Sequence, residues 1–276
     1  MTRSKDTNAA SGCGLGGQYI RQLYFTLARE IGSITQVTEP VVPLFHAFVV
    51  LHILFGSLGL VAFWIPVLGR KGSPLHRRWG RVFTWTMLAT GSAAIGISVC
   101  TLIDPQATHP HLANPDWIRG IFGWMMLGLA ILTVNLAWYG WSCIQHRENH
   151  RGHREWRNLA LQLLLTLAAV ACLIESLRIG EPLMLGMPAI GIATVATNLW
   201  FIFKTQPARL DWLKEHIKAL VGAGISVYTA FFAFGAVRTI PALALHPGLW
   251  SIPLVVGLGL IIYHRYAITR QRPHNA

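Results

Sequence analysis

The chemistry this sequence can offer lies mainly in its histidines. An imidazole titrates near neutral pH, relays protons, and ligates metals or haem iron. His52 sits in an apolar run nine residues beyond Pro43, about 14 Å along a helix and so near a bilayer midplane. An ionisable group at that depth is by default a functional candidate. The plainer alternative is a neutral ring hydrogen-bonded to the next helix. His76, His216 and His264 fall near one end of their apolar runs, and His46 and His246 near the other. Two histidine layers are what a bundle needs to hold one b-type haem near each face, because each iron takes two axial imidazoles from facing helices. No other apolar run has a histidine as deep as His52. The three-histidine layer is the better site, with His76 and His216 as the axial pair and Glu215 as the nearest acceptor for a second ring nitrogen. Each of these histidines also has an ordinary reading as a helix-end residue.

A second constellation combines His46 with Asp104, Glu175, Arg178 and Arg238, all close to the ends of apolar runs. Glu175 and Arg178 are spaced to pair on one helix face. The set suits an outward polar cavity for a small solute or, with Cys100 and Cys172 beside it, a site for a redox-labile thiol pair. Ordinary interfacial charges are the bland reading. His146, His150 and His153 in HRENHRGH imitate a di-iron histidine box, but two irons need several boxes and no second one exists. Asn135, Gln162 and Asn198 lie within apolar runs and suit interhelical hydrogen bonds. Gly56, Gly59, Ser92 and Gly96 suit close packing.

The elements that must position these residues follow from composition. The 276 residues are 53% hydrophobic and 12% charged, with a mean hydropathy of +0.45. Charge that sparse and clustered marks a polytopic membrane protein. Apolar runs at roughly 41–68, 80–103, 118–143, 157–179, 183–204, 213–238 and 249–267 predict seven spans in an all-α bundle. Residues 1–40 read as an extracytoplasmic tail with an amphipathic helix at 18–36, 41–268 as the membrane domain, and 269–276 as a tail. The formal charge of +12 does not point to nucleic acid, since Lys and Arg concentrate in short connections between spans. Sixteen flank one side and seven the other, which predicts an outside N-terminus and a cytoplasmic C-terminus. The four cysteines have no CxxC spacing, and no metal site is expected from them.

The turn between the first two spans carries the most specific pattern. His52, Ile53 and Gly56, then Lys71, Gly72, His76, Arg77, Gly80 and Arg81, spell H-I-x-x-G followed by K-G-x-x-x-H-R-x-x-G-R. This resembles an uncharacterised family of bacterial multi-span membrane proteins, catalogued as domain of unknown function 2306. His153, Trp156 and Arg178, and more loosely Trp212 with His216, resemble further family pieces. The resemblance implies a multi-span bacterial inner-membrane fold and no established chemistry. Arg77 and Arg81, at i,i+4, are expected to meet anionic lipid headgroups, with Gly80 letting the second helix start close to its neighbour. A short echo, His76-Arg77-Arg78-Trp79 against His153-Arg154-Glu155-Trp156, suggests either an old duplication of helix pairs or the usual recruitment of Arg and Trp to an interface. Two readings remain: a membrane redox protein using haem b or quinone, and a transporter or sensor with an outward polar cavity.

Overall fold

The first helix stops where its carbonyls find a cation. α1, Val41–Leu68, runs into Gly69; Lys71 then folds back and donates to the Pro66 carbonyl at 3.0 Å and to the Val67 carbonyl. Those oxygens belong to the last helical turn, which has no intrahelical donors of its own. Gly72, at φ +74°, makes the left-handed step that only glycine takes cheaply. Ser73 caps the next helix by accepting from the His76 amide at 3.2 Å, and Pro74 occupies its first position. α2 therefore spans Pro74–Ile103 and starts six residues before the apolar run expected at 80. Hydropathy overlooks polar capping residues that the helix includes.

A computed structural model describes residues 40–235 and 247–270. The expected amphipathic helix at 18–36, the rest of the N-terminal tail, Arg238, His246 and residues 271–276 lie outside them. Five further long helices follow. α3, Pro115–Gln145, includes a π-helical stretch at Arg119–Met125. α4 is Trp156–Ile179, ended by left-handed Gly180 at φ +72°. α5 is Pro182–Ile202, α6 is Asp211–Ala230, and α7 is Pro247–Arg270. Seven helices are long and apolar enough to cross a membrane, and no strand occurs among the described residues.

The outside of the bundle is apolar. Val50, Ile53, Leu54 and Val61 on α1, Leu163, Leu167 and Ile174 on α4, and Val255 and Ile262 on α7 all face outward. Such a surface suits hydrocarbon and would be an aggregation liability in water. The fold is that of an integral membrane protein in contact with lipid.

α3 is the axle. Two-thirds of its most apolar stretch is buried (67%), against 22% for α1 and 17% for α7, and it packs on α2, α4 and α6. α1 pairs with α2, α4 with α5, and α6 with α7. Gly56 faces Thr90, Gly59 faces Met87 and Thr86, and Gly96 faces the Phe48 ring, so small residues bring α1 and α2 together. Two expectations fail here. Ser92 is exposed, and a side chain at Gly80 would meet nothing within 4 Å. Gly80 therefore mediates no close approach: it shares the side of α2 that carries Met87, two turns away, but nothing comes near it at that level. Tyr228 on α6 closes the hairpin from the side, donating to the Leu60 carbonyl at 2.9 Å and accepting from the Trp64 indole at 2.6 Å.

Candidate functional site

Helix ends holding the turns at 69–73, 146–155 and 203–210 form the basic end of the bundle; the opposite end is the far end. At the basic end His76 points back across the turn, its Nδ1 3.1 Å from the Pro66 carbonyl. His216, buried in the first half of α6, places Nδ1 3.0 Å from the Gly140 carbonyl on α3. A carbonyl oxygen only accepts, so each neutral ring carries its proton on Nδ1 and presents a bare Nε2 lone pair. α2 and α6 are neighbours, and the rings are close enough for charge on His76 to act on His216. Lys71 lies within similar electrostatic reach of both His76 and His264. His76 is thus linked to His216, and Lys71 to both His76 and His264.

His52 repeats the motif alone, with Nδ1 3.1 Å from the Thr90 carbonyl of α2. It is half-buried on the α1–α2 seam.

Glu215 does not support the His216 ring; Gly140 does. Adjacent residues on a helix point about 100° apart, and Glu215 faces a different set of partners. It accepts from the Tyr139 hydroxyl at 3.1 Å, is ion-paired to Lys218, and lies 3.8 Å from Arg265. This buried knot of Tyr139, Glu215 and Lys218 was missed by sequence reasoning. Its one legible signal was Glu215 and Lys218 at i,i+3.

Lys218 leads into a cleft of about 360 Å³ floored by α3 and walled by α5 on one side and by α6 and α7 on the other. Leu132, Leu136, Ile190 and Leu258 give it an apolar surface, with Lys218, Thr194 and Thr197 toward the basic end. From Lys218 to Thr229, both lining residues, the wall runs about 16 Å. Lys218 gives one proton to Glu215 and one to Thr197 Oγ1 at 3.2 Å. The ammonium also lies 5.6 Å from the centre of the Tyr139 ring.

The far end is built differently. Arg178 donates to both Glu175 oxygens, at 2.8 and 2.9 Å, and reaches Asp116 at 3.2 Å. Asp104 stands apart from that group, capping the turn Pro105–Thr108 by accepting from the Ala107 amide at 2.9 Å. His46 bonds the Val42 carbonyl of its own helix at 2.8 Å. The outward set therefore divides into a Glu175–Arg178 pair, a cap and a local bond. Cys100 and Cys172 are free and buried, and Cys172 contacts the Met184 carbonyl at 3.8 Å. His109, between α2 and α3, stacks on Phe122 at 4.4 Å, and burial together with the His111 charge lowers its pKa to about 4.

Loop histidines His146, His150 and His153 come together, with His153 fully buried and its ring 5.5 and 5.4 Å from the other two. Burial, then the charges of His150 and His146, lower the His153 pKa to about 4. His153 precedes α4 in a 3-10 turn whereas His76 lies inside α2, so the sequence echo has no structural counterpart. Arg77 and Arg81 are exposed on α2. Among the described residues no group of three or more His, Cys, Asp or Glu is arranged to hold a metal ion. No family model, curated protein or solved structure matches the chain.

Proposed function

We propose that this chain is a membrane redox protein that holds haem b at its basic end and exchanges electrons with a lipid quinone. The observation that carries the reading is the His76–His216 pair: two rings on adjacent spans, each oriented by a backbone carbonyl, each with a free Nε2. A hydrogen bond from the second ring nitrogen fixes the tautomer and raises the basicity of an axial ligand. His76 and His216 would hold the haem, with His264 within electrostatic reach of the same Lys71. Bound haem would supply one-electron chemistry; the chain's part is to fix the rings, bury them and exclude solvent.

The cleft supports the quinone half. Its apolar length suits an isoprenoid tail, and the Lys218 ammonium, already neutralised by Glu215, offers a proton to a neutral carbonyl rather than to an anion. Glu215 joins the cleft to His216 in sequence and to Tyr139 in space. Kinship with the H-R-x-x-G-R family and a bacterial inner-membrane location belong to the same proposal. So does the orientation, with the basic end cytoplasmic by its excess of Lys and Arg, the C-terminus inside and the N-terminus outside. Exposed Arg77 and Arg81 would then meet anionic lipid headgroups.

The test is a reduced-minus-oxidised difference spectrum of the protein purified in mild detergent, with quinone measured in a solvent extract of the same sample. A low-spin b-type spectrum with bound quinone is the expected result. A folded protein with neither would end the proposal.

A further inference from the structure

Nine buried side-chain nitrogen or oxygen atoms among the described residues have no hydrogen-bond partner, and eight of them lie on α3, α4, α5 or the loop joining α3 to α4. Unpaired buried polar atoms are few in native proteins, and each calls for a bound water, an ion or a functional cause. Their concentration in one sector is the observation that matters.

They trace a column. At its inner limit Asn198 of α5 donates to Asn135 of α3 at 3.2 Å and to Gln162 of α4 at 3.3 Å. All three amides are almost completely buried, yet Asn135 Nδ2, Gln162 Nε2 and Asn198 Oδ1 stay unpaired. Asn158 stands one turn from Gln162 on α4, about 6 Å toward the basic end; it donates to Ser142 at 2.8 Å and to the His153 carbonyl at 3.1 Å, leaving Oδ1 free. Asn135, Trp138 and Ser142 share one face of α3 by their i, i+3, i+7 spacing. At the mouth Glu155 Oε1, His153 Nδ1 and His150 Nε2 are again unpaired, and Phe201 covers both rings at 5.1 and 4.9 Å.

The chemistry of the free atoms selects the ligand. Asn135, Gln162 and Trp138 offer N–H donors, whereas Asn158, Asn198 and Glu155 offer oxygen acceptors. A cation would require acceptors alone and an anion donors alone. Turning all three amides end for end keeps both bonds and still leaves donors and acceptors mixed. Water, which donates and accepts, fits such a set and typically makes about three bonds when buried.

We propose that α3, α4 and α5 enclose a file of bound water molecules, a half-channel entered at the 146–155 loop and ending at the Asn135–Gln162–Asn198 amides. It is separate from the histidine pair and the lipid-facing cleft, and stands whether or not haem is bound. Phe201 closes the mouth over His150 and His153, so these rings form the boundary between bulk solvent and the file.

Pulsed X-ray hydroxyl labelling in H2(18)O, read by mass spectrometry on the full-length protein, tests this directly, because radicals born from bound water mark the side chains beside it. His153, as enclosed as Met87 of the α1–α2 seam, is expected to label about tenfold faster than Met87, and Trp138, part-exposed with its indole nitrogen enclosed, faster again than its exposure alone gives, since only these two adjoin bound water. Combined Asn135→Leu, Gln162→Leu and Asn198→Leu changes should lower Trp138 labelling severalfold while His153 keeps labelling. Should that variant fail to fold, the wild-type ratio decides alone. His153 as protected as Met87, with Trp138 no faster than its exposure gives, would show a dry column and overturn the proposal, as would enhanced labelling confined to His153.

Discussion

Both ends of the bundle pair their carboxylates with cations, and they differ in how they hold their histidines. At the far end charges cancel locally: Arg178 holds Glu175 and Asp116, and Asp104 caps a turn. At the basic end His76 and His216 are held by carbonyls of other segments, with one nitrogen left over on each ring. A group whose bonding capacity is met by near neighbours stabilises a structure. One that another segment holds away from solvent, with a nitrogen left over, is placed to meet a ligand; His46, bonded within its own helix, is exposed. Residue type alone does not separate the cases, since His46 and His216 have the same side chain and different partners.

The contrast can be broken most forcefully at Arg178. Arg178→Met leaves Glu175 buried beside Cys172 without its cation, which is costly in an apolar surrounding. The melting temperature of the detergent-solubilised protein should fall further than for any single basic-end histidine variant. Any haem spectrum should stay unchanged. A stable Arg178→Met protein with an altered spectrum would reverse the roles of the two ends.

Acid sharpens it next. His153 has a folded pKa near 4 against an unfolded value of 6.5, so below pH 6.5 the unfolded chain binds the proton that the folded one refuses. Its contribution is complete above pH 6.5 and declines as pH falls toward 4, reaching a loss of about 2 kcal/mol at pH 5. Thermal melts from pH 7.5 to 4.5 should show that decline, and His153→Phe should flatten it. His109 at the far end has the same sign and window, so some acid sensitivity should survive in the variant.

Glycines of the turn give the smallest effects. Gly72→Ala forces alanine into a left-handed conformation and should cost about 1 kcal/mol. Gly80→Ala meets open space and replaces a helical glycine, so it should stabilise by about 1 kcal/mol or less. Equal losses at both positions in thermal unfolding would mean that Gly80 does sit at a close contact.

How far the chain could be read in advance depended on the range of each interaction. Apolar runs are contiguous, so all seven spans were legible. The true start of α2 was written in Ser73 and Pro74, which a hydropathy scale cannot weigh. Helix adjacency was not legible: the acceptor for His216 is the carbonyl of Gly140, 76 residues away, and a backbone oxygen carries no sequence signature. For that reason Glu215 was wrongly expected to support the ring. Asn135, Gln162 and Asn198 were each readable as interhelical donors. Their meeting at one point, with atoms left over, is a property of packing.

The central claim, that the basic end is a ligand site and the far end is not, is tested most directly by the absorption spectra of two histidine variants. His216→Ala should abolish the low-spin Soret and α bands of the purified protein, whereas His46→Ala should leave both intact. Unchanged bands in His216→Ala, or their loss in His46→Ala, would contradict it.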